Sequence, residues 1–449
     1  MVGSSVLHPF LGKGRVLDQR FRGMQLQIEF DQGPVLWVRR DALSVIKPIK
    51  KKKRGTLPIK VRPIKYGDFQ SRKLIEAFRL GIVPYFAIED FTFGREKELQ
   101  RLKEELELFR EKKGGVIILE GEYGSGKTHL LDYIHCSLLR SGYAVARVEL
   151  DPFDVSPFRP KHVYREIIRS LRLRTDKEEL NFQDIIFKAR DISFPKFHTF
   201  FSKALPLLKN NKGLDILWNW IGGEILSRDY LNFCKYWRLP VLLNHTPAVD
   251  IYCYLLSGWG YILKEIGAKG FIIIIDEAET LFRLWYRAEY GFYFYQGLIR
   301  LAQNDPSLTQ LAMENKGEGF PGVGRIDRFG LIHSGMRSLP YSYELPNHIF
   351  LIFALTPSFH YYYEKIRSLV AEDKVIQLSR LSRKDIEAMF ERLIELYEQA
   401  FSPFRLVDKS KRDIFHKLIL ADDREIRFFV KSCVDWMDLY RHYGEETNL

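Results

Sequence analysis

The eight residues Gly121-Glu-Tyr-Gly124-Ser125-Gly126-Lys127-Thr128 follow the apolar run VIILE and precede the helical pattern HLLDYIHCSLL. A glycine-rich loop set between a strand and a helix and closed by Lys-Thr confines this part of the chain to one local architecture. Its glycines let backbone N–H groups close around phosphate oxygens. The helix N-terminus adds the positive end of its dipole, and the lysine reaches the β- and γ-phosphates. Gly121, Gly124, Ser125, Gly126, Lys127 and Thr128 are therefore the expected phosphate cradle, with Thr128 also an expected Mg²⁺ ligand.

A second half of such a site lies about 150 residues downstream, where the run Phe271–Ile275 ends in Asp276-Glu277. Asp276 is expected in the Mg²⁺ shell, and Glu277 beside it is placed to orient and polarise an attacking water. ATP and Mg²⁺ are the expected cofactors. Further strand-like runs at Val116–Leu119, Ala144–Leu150, Ile349–Leu355 and Val375–Leu378 alternate with helical segments. That alternation implies parallel strands joined by crossovers, hence a three-layer α/β P-loop NTPase core of the AAA+/ASCE type. An acidic residue beside the metal ligand points to the branch with an extra strand between the phosphate loop and the acidic strand. In that branch Thr356, at the tip of IFLIFALTPS, is the sensor candidate for the γ-phosphate, unless it merely caps the next helix. Arg367 is a candidate finger for a neighbouring subunit's nucleotide, or an ordinary surface arginine. Arg424 is a candidate second sensor, or a solvated residue of a first helical turn, where a cation is unfavourable.

Charge is unevenly spread. Of 69 Lys+Arg and 57 Asp+Glu, residues 1–67 hold 15 and 4, a local net charge of +11, leaving 54 and 53 for the remainder. An excess gathered in one seventh of the chain points to a polyanionic partner, most often nucleic acid, against the alternative of a solubilising tail. Lys50, Lys51, Lys52, Lys53 and Arg54 are the expected contacts to DNA. Residues 1–46 read as a small β-barrel module of short alternating strands with glycine turns, and 47–67 as an extended basic linker containing three prolines.

The core is expected over 68–380, with a helical insertion at 152–262 rich in aromatics and a C-terminal helical lid at 381–449. The aromatics are read as packing in preference to a base-stacking platform. Residues 306–346 read as a long loop. Four dispersed cysteines favour neither a disulfide framework nor a metal site. No apolar run reaches the roughly 20 residues of a membrane span, and the N-terminus lacks the pattern of a secretory signal. A cytoplasmic protein without membrane partners is expected.

Two resemblances add to this reading. The segments HPFLGKGRV, IEFDQG and LWVRRDAL resemble the SH3-like or Tudor-like modules of CarD-type proteins, which bind DNA or a protein. IEAFRLGIVP, FGREKELQRL, GEYGSGKTHLL, VYREIIRSL, YCYLLSGWGYILKEIGAKGFIIIIDEAETL and FALTPSF, spread over residues 74–440, resemble the ATP-binding P-loop proteins of bacteriophage-exclusion (BREX) systems. Those are similar in turn to origin-recognition and STAND ATPases. The resemblance implies an ATPase working beside a helicase in anti-phage defence or DNA processing; a homo-oligomer is the further option that the Arg367 finger reading raises. The alternative is a STAND-like signalling scaffold with slow turnover, and the basic N-terminal module departs from the family's usual form.

Overall fold

The computed structural model describes residues 5–8, 12–20, 25–30, 35–39 and 44–45, and residues 66–444 apart from 191, 193–197, 199, 210–213, 225–227, 238, 240–241, 243–248, 284, 307, 309–342, 344 and 422–425. Lys50 to Arg54, Arg424 and most of the expected 306–346 loop lie outside the described residues. The chain divides into two compact units, Met1–Arg54 and Gly55–Leu449.

The first unit is an antiparallel sheet of β1 (Ser5–His8), β2 (Gly12–Arg20), β3 (Gln25–Phe30), β4 (Val35–Arg39) and β5 (Ser44–Val45), in the order β4-β3-β2-β1-β5. In β3 Leu26, Ile28 and Phe30 alternate inward onto Val16 of β2, as the period of two requires. The register shifts between Val16 and Asp18, which bends β2. The sequence reads as a barrel. The described pairings give a five-stranded sheet, with no pairing between β4 and β5 among the described residues.

The second unit is built on seven strands: β6 (Gly114–Glu120), β7 (Ala144–Glu149), β8 (Arg172–Arg174), β9 (Glu179–Leu180), β10 (Phe271–Asp276), β11 (Ile349–Leu355) and β12 (Val375–Gln377). Their order is β12-β6-β11-β10-β7-β8-β9, the first five joined by parallel pairings and β8 and β9 added through antiparallel pairings. Strand β11 thus separates the phosphate-loop strand β6 from the acidic strand β10. Every residue of β10 and β11 is buried, as expected of parallel strands covered on both faces.

The alternation of side chains sorts the core into two layers. Ile272 and Ile274, with Phe350 and Ile352, meet Leu102, Leu106 and Phe109 of α2 (Glu96–Lys112) and Leu131 and Ile134 of α3 (Lys127–Arg140). Ile273 and Ile275, with Leu351 and Phe353, face the opposite layer. That layer is formed by α4 (Pro160–Ser170), α5 (Phe182–Ala189), α6 (Phe201–Lys209), α7 (Leu214–Ile221), α8 (Arg228–Trp237), α9 (Val249–Glu265) and α11 (Trp285–Ala302), the last preceded by the short α10 (Thr280–Arg283). Phe200, Phe201, Trp220 and Phe233 of the insertion are buried there, and Trp259 Nε1 donates to Tyr164 Oη, which donates to the Ile221 carbonyl. These aromatics pack; Phe194 and Phe197 lie outside the described residues. The insertion is not helical throughout. The charged runs Arg172–Arg174 and Glu179–Leu180 extend the core sheet as an antiparallel edge hairpin, too short and too polar to show a strand period in the sequence.

A third cluster joins α13 (Arg383–Ala400), α14 (Asp408–Ala421) and α15 (Ile426–Tyr443), which follow α12 (Tyr361–Ser368) and a 3₁₀ turn at Glu372–Lys374, to α1 (Asp68–Arg79). Leu74, Ile75 and Phe78 of α1 share that core with Phe390, Leu393 and Met437. Arg79 pairs with both Asp438 oxygens. Helix α1, read in sequence as the start of the core, is therefore packed among the C-terminal helices. No described helix is long and apolar enough to cross a membrane.

Candidate functional site

Strands β6, β10 and β11 end at one edge of the sheet, and their terminal residues form the site. Gly124 and Gly126 both take left-handed backbone, at φ 78° and 87°. A side chain at either position is strained. The turn delivers Lys127 as the first residue of α3, whose N-terminus no side chain caps. Uncapped N–H groups, the helix dipole and the Lys127 ammonium together make an anion site. Ser125 and Thr128 flank Lys127 in this turn.

Lys127 is only 8 % exposed. Its Nζ donates to the carbonyls of Gly121 (2.8 Å) and Glu122 (3.3 Å) and to Thr356 Oγ1 (3.0 Å). The Thr356 hydroxyl in turn donates to Glu279 Oε1. Thr356 does not cap the next helix, because His360 does so by accepting from the Tyr362 N–H. The structure thus brings the sensor candidate directly to the phosphate-loop lysine.

Asp276, at the end of β10, is 1 % exposed. Its Oδ1 accepts from the Glu277 N–H at 3.0 Å, and its Oδ2 lies 3.2 Å from Arg147 Nη2. Arg147, on β7, also pairs with Asp132 one turn along α3 from Thr128. Glu277 is half-buried and has φ 53°, a left-handed conformation that a non-glycine residue adopts at a cost of about 1–3 kcal/mol. The oxygen donors of Thr128 and Asp276 suit a hard divalent cation such as Mg²⁺. A bound ion would supply Asp276 with positive charge that Arg147 supplies in this structure.

Arg367 does not reach outward. Its Nε pairs with Glu120 Oε1 at 2.8 Å, and its two terminal nitrogens hold Glu372 at 2.7 and 2.8 Å. The Glu372 hydrogen bond, with the Glu120 charge behind it, outweighs the lowering effect of partial burial and leaves its pKa raised above the ordinary arginine value. Glu120, buried at the base of the phosphate loop, also accepts from Tyr363 Oη (2.7 Å) and Gln377 Nε2. Burial, then the Glu120 hydrogen bond, pushes the Tyr363 phenol up. On the other flank, buried Arg95 donates to the carbonyls of Ser125 and Ser379 and pairs with Glu98. Its pKa is lowered, chiefly by burial. Burial, with the Arg95 charge behind it, holds His129 down at about 4. Ile426 Cδ1 lies 3.9 Å from where a Cβ on Gly126 would stand, so the first described turn of α15 approaches the phosphate loop.

Arg95, Glu120, Arg147 and Glu279 were not singled out in the sequence. Arg147 carried a signal, a charge flanked on both sides by apolar residues in the run AVARV. Glu279 repeats the acidic pattern of the DEAE run, and Arg95 and Glu120 flank recognised motifs without any local mark of their partners.

One consequence is direct. Arg147→Met leaves Asp276 and Asp132 without their cation, a loss expected to cost about 3–5 kcal/mol for a mostly buried pair. Chemical unfolding in Mg²⁺-free buffer is expected to show this, with Mg²⁺ restoring more stability to the variant than it adds to the wild type. Equal stabilities without Mg²⁺ would remove Arg147 from this role.

Residues 68–188 match the family model of the BREX system ATP-binding protein BrxC/D. This stretch contains the phosphate loop, Arg95 and Arg147 and ends before Asp276. No curated protein matches the chain.

Proposed function

We propose that this chain is a cytoplasmic ATP hydrolase of the BREX defence type, associated with nucleic acid through its basic N-terminal region and working with a helicase. The observation that carries the reading is the convergence of Lys127, Thr356 and Asp276 at the ends of β6, β11 and β10. The family match over residues 68–188 supports it, and the order β12-β6-β11-β10-β7 supports an AAA+/ASCE relationship.

On this reading the α3 N–H groups and Lys127 hold the phosphates, while Thr128 and Asp276 hold the metal. Bound Mg²⁺ supplies positive charge that eases departure of the leaving phosphate. Glu277 orients the water and accepts its proton. Arg424, two residues before α15, is positioned in sequence to complete the site from the helical lid. Arg367 could serve a neighbouring copy in a homo-oligomer only by leaving Glu120 and Glu372. We assign it instead to bracing the base of the phosphate loop.

A STAND-like scaffold with slow turnover is the second reading, favoured by the pairing of Asp276 with Arg147, which engages the carboxylate that a catalytic metal would need. Steady-state ATP hydrolysis with and without DNA separates the two. DNA-stimulated turnover is expected, and nucleotide bound without turnover in either condition would favour the scaffold.

The nucleic-acid assignment has its own test. Deleting residues 1–54, the first compact unit with its lysine run, is expected to weaken DNA binding strongly and to leave ATP binding unchanged. With about four to six lysine or arginine contacts to phosphates, log K against log salt for the full chain slopes near −4 to −5, with little sequence preference. A deletion variant with the same affinity and slope would assign the N-terminal sheet to a protein partner.

A further inference from the structure

Lys127, Thr356 and Glu279 form a chain of hydrogen bonds whose direction is fixed by chemistry. An ammonium can only donate, so the Thr356 oxygen accepts from Lys127; an ionised carboxylate can only accept, so the single Thr356 proton goes to Glu279 Oε1. The three ammonium protons of Lys127 are matched by three acceptors, the Gly121 and Glu122 carbonyls and Thr356. Glu279 Oε2 is buried with no hydrogen-bond partner among the described residues. Its carboxylate therefore relies on the Thr356 hydroxyl.

We propose that Glu279 is a positioning residue that withholds the Thr356 proton from the nucleotide and so sets how well the site tells a nucleoside triphosphate from a diphosphate. The proposal rests on the ATP-binding reading above. While Glu279 holds that proton, Thr356 presents only lone pairs toward Lys127 and offers nothing to a γ-phosphate oxygen. A γ-phosphate must both draw Lys127 away from Thr356 and win the hydroxyl proton from a carboxylate, close to the negative charge of that carboxylate. A diphosphate, whose β-phosphate also calls on Lys127, makes no demand on the Thr356 proton and leaves its bond to Glu279 intact. Removing Glu279 frees the hydroxyl to donate to the γ-phosphate and is expected to tighten triphosphate binding selectively.

The test is a double-mutant cycle on nucleotide affinity, read by equilibrium titration with fluorescent ATP and ADP analogues in a Glu277→Gln background. Glu279→Ala is expected to raise the affinity for ATP relative to ADP by about five-fold or more. That effect should shrink to the part due to the lost carboxylate charge in a protein that also carries Thr356→Val, because no proton is left to release. Glu279→Gln, which keeps an acceptor for Thr356 but loses the charge, is expected to shift the ratio in the same direction and by less, and it serves in the cycle if the alanine variant does not fold. An unchanged ratio, or the same change with and without Thr356→Val, overturns the proposal. If the Glu277→Gln protein with Thr356 and Glu279 intact binds neither nucleotide, the ATP-binding reading itself has failed.

Discussion

Lys127→Ala is expected to abolish measurable ATP binding. The ammonium is the one cation that the glycine loop itself offers to the phosphates, and it is largely shielded from solvent. A hydrogen bond to a charged group contributes about 1.5–3 kcal/mol. Losing two or three of them weakens affinity by about a hundred-fold to ten-thousand-fold or more, at 1.4 kcal/mol per factor of ten. The fold should persist, because β6 and α3 are held by Leu130, Leu131 and Ile134 in the core and not by the loop lysine. Calorimetric titration with ATP, with circular dichroism as the control for folding, checks this. Binding within ten-fold of wild type would mean that the nucleotide sits elsewhere.

Glu277→Gln is expected to keep ATP binding and to lower hydrolysis by about a hundred-fold to ten-thousand-fold, the range of a general base. The carboxylate follows the metal-ligand position directly and is not part of the phosphate cradle. Its backbone adds a second, independent readout. At φ 53° a glutamate is strained, so Glu277→Gly removes the carboxylate and relieves the backbone by about 1–2 kcal/mol. That variant should be inactive yet at least as resistant to denaturant as the wild type. Wild-type turnover in the glutamine variant would transfer the base role to another group, and a destabilised glycine variant would show that the Glu277 side chain holds the fold.

What the sequence could disclose followed the range of the interactions. The phosphate loop was legible because strand, glycine turn and helix are contiguous. The burial of β10 and β11 was legible because FIIIID and IFLIFAL are apolar on both faces. Thr356 was legible as the polar residue at the tip of an apolar strand, but whether it capped a helix or met Lys127 depended on a contact 229 residues away. Arg147 with Asp276, and Arg367 with Glu120, are likewise long-range pairs, and local spacing carries no record of them. The β8–β9 hairpin was missed because strands of three and two residues have no measurable period.

The place of α1 bears on how the protein is made. Arg79 meets Asp438 across 359 residues of chain, and Arg72 donates to the Ala400 carbonyl across 328. Synthesis proceeds at about 5–20 residues per second. The ribosome therefore releases α1 roughly 20–70 s before the last helix that covers Leu74, Ile75 and Phe78 exists. During that interval the nascent chain carries an uncovered greasy stripe beside its basic leading segment, a natural target for a chaperone. The C-terminal helical cluster is completed only after the strands of the core sheet have been made.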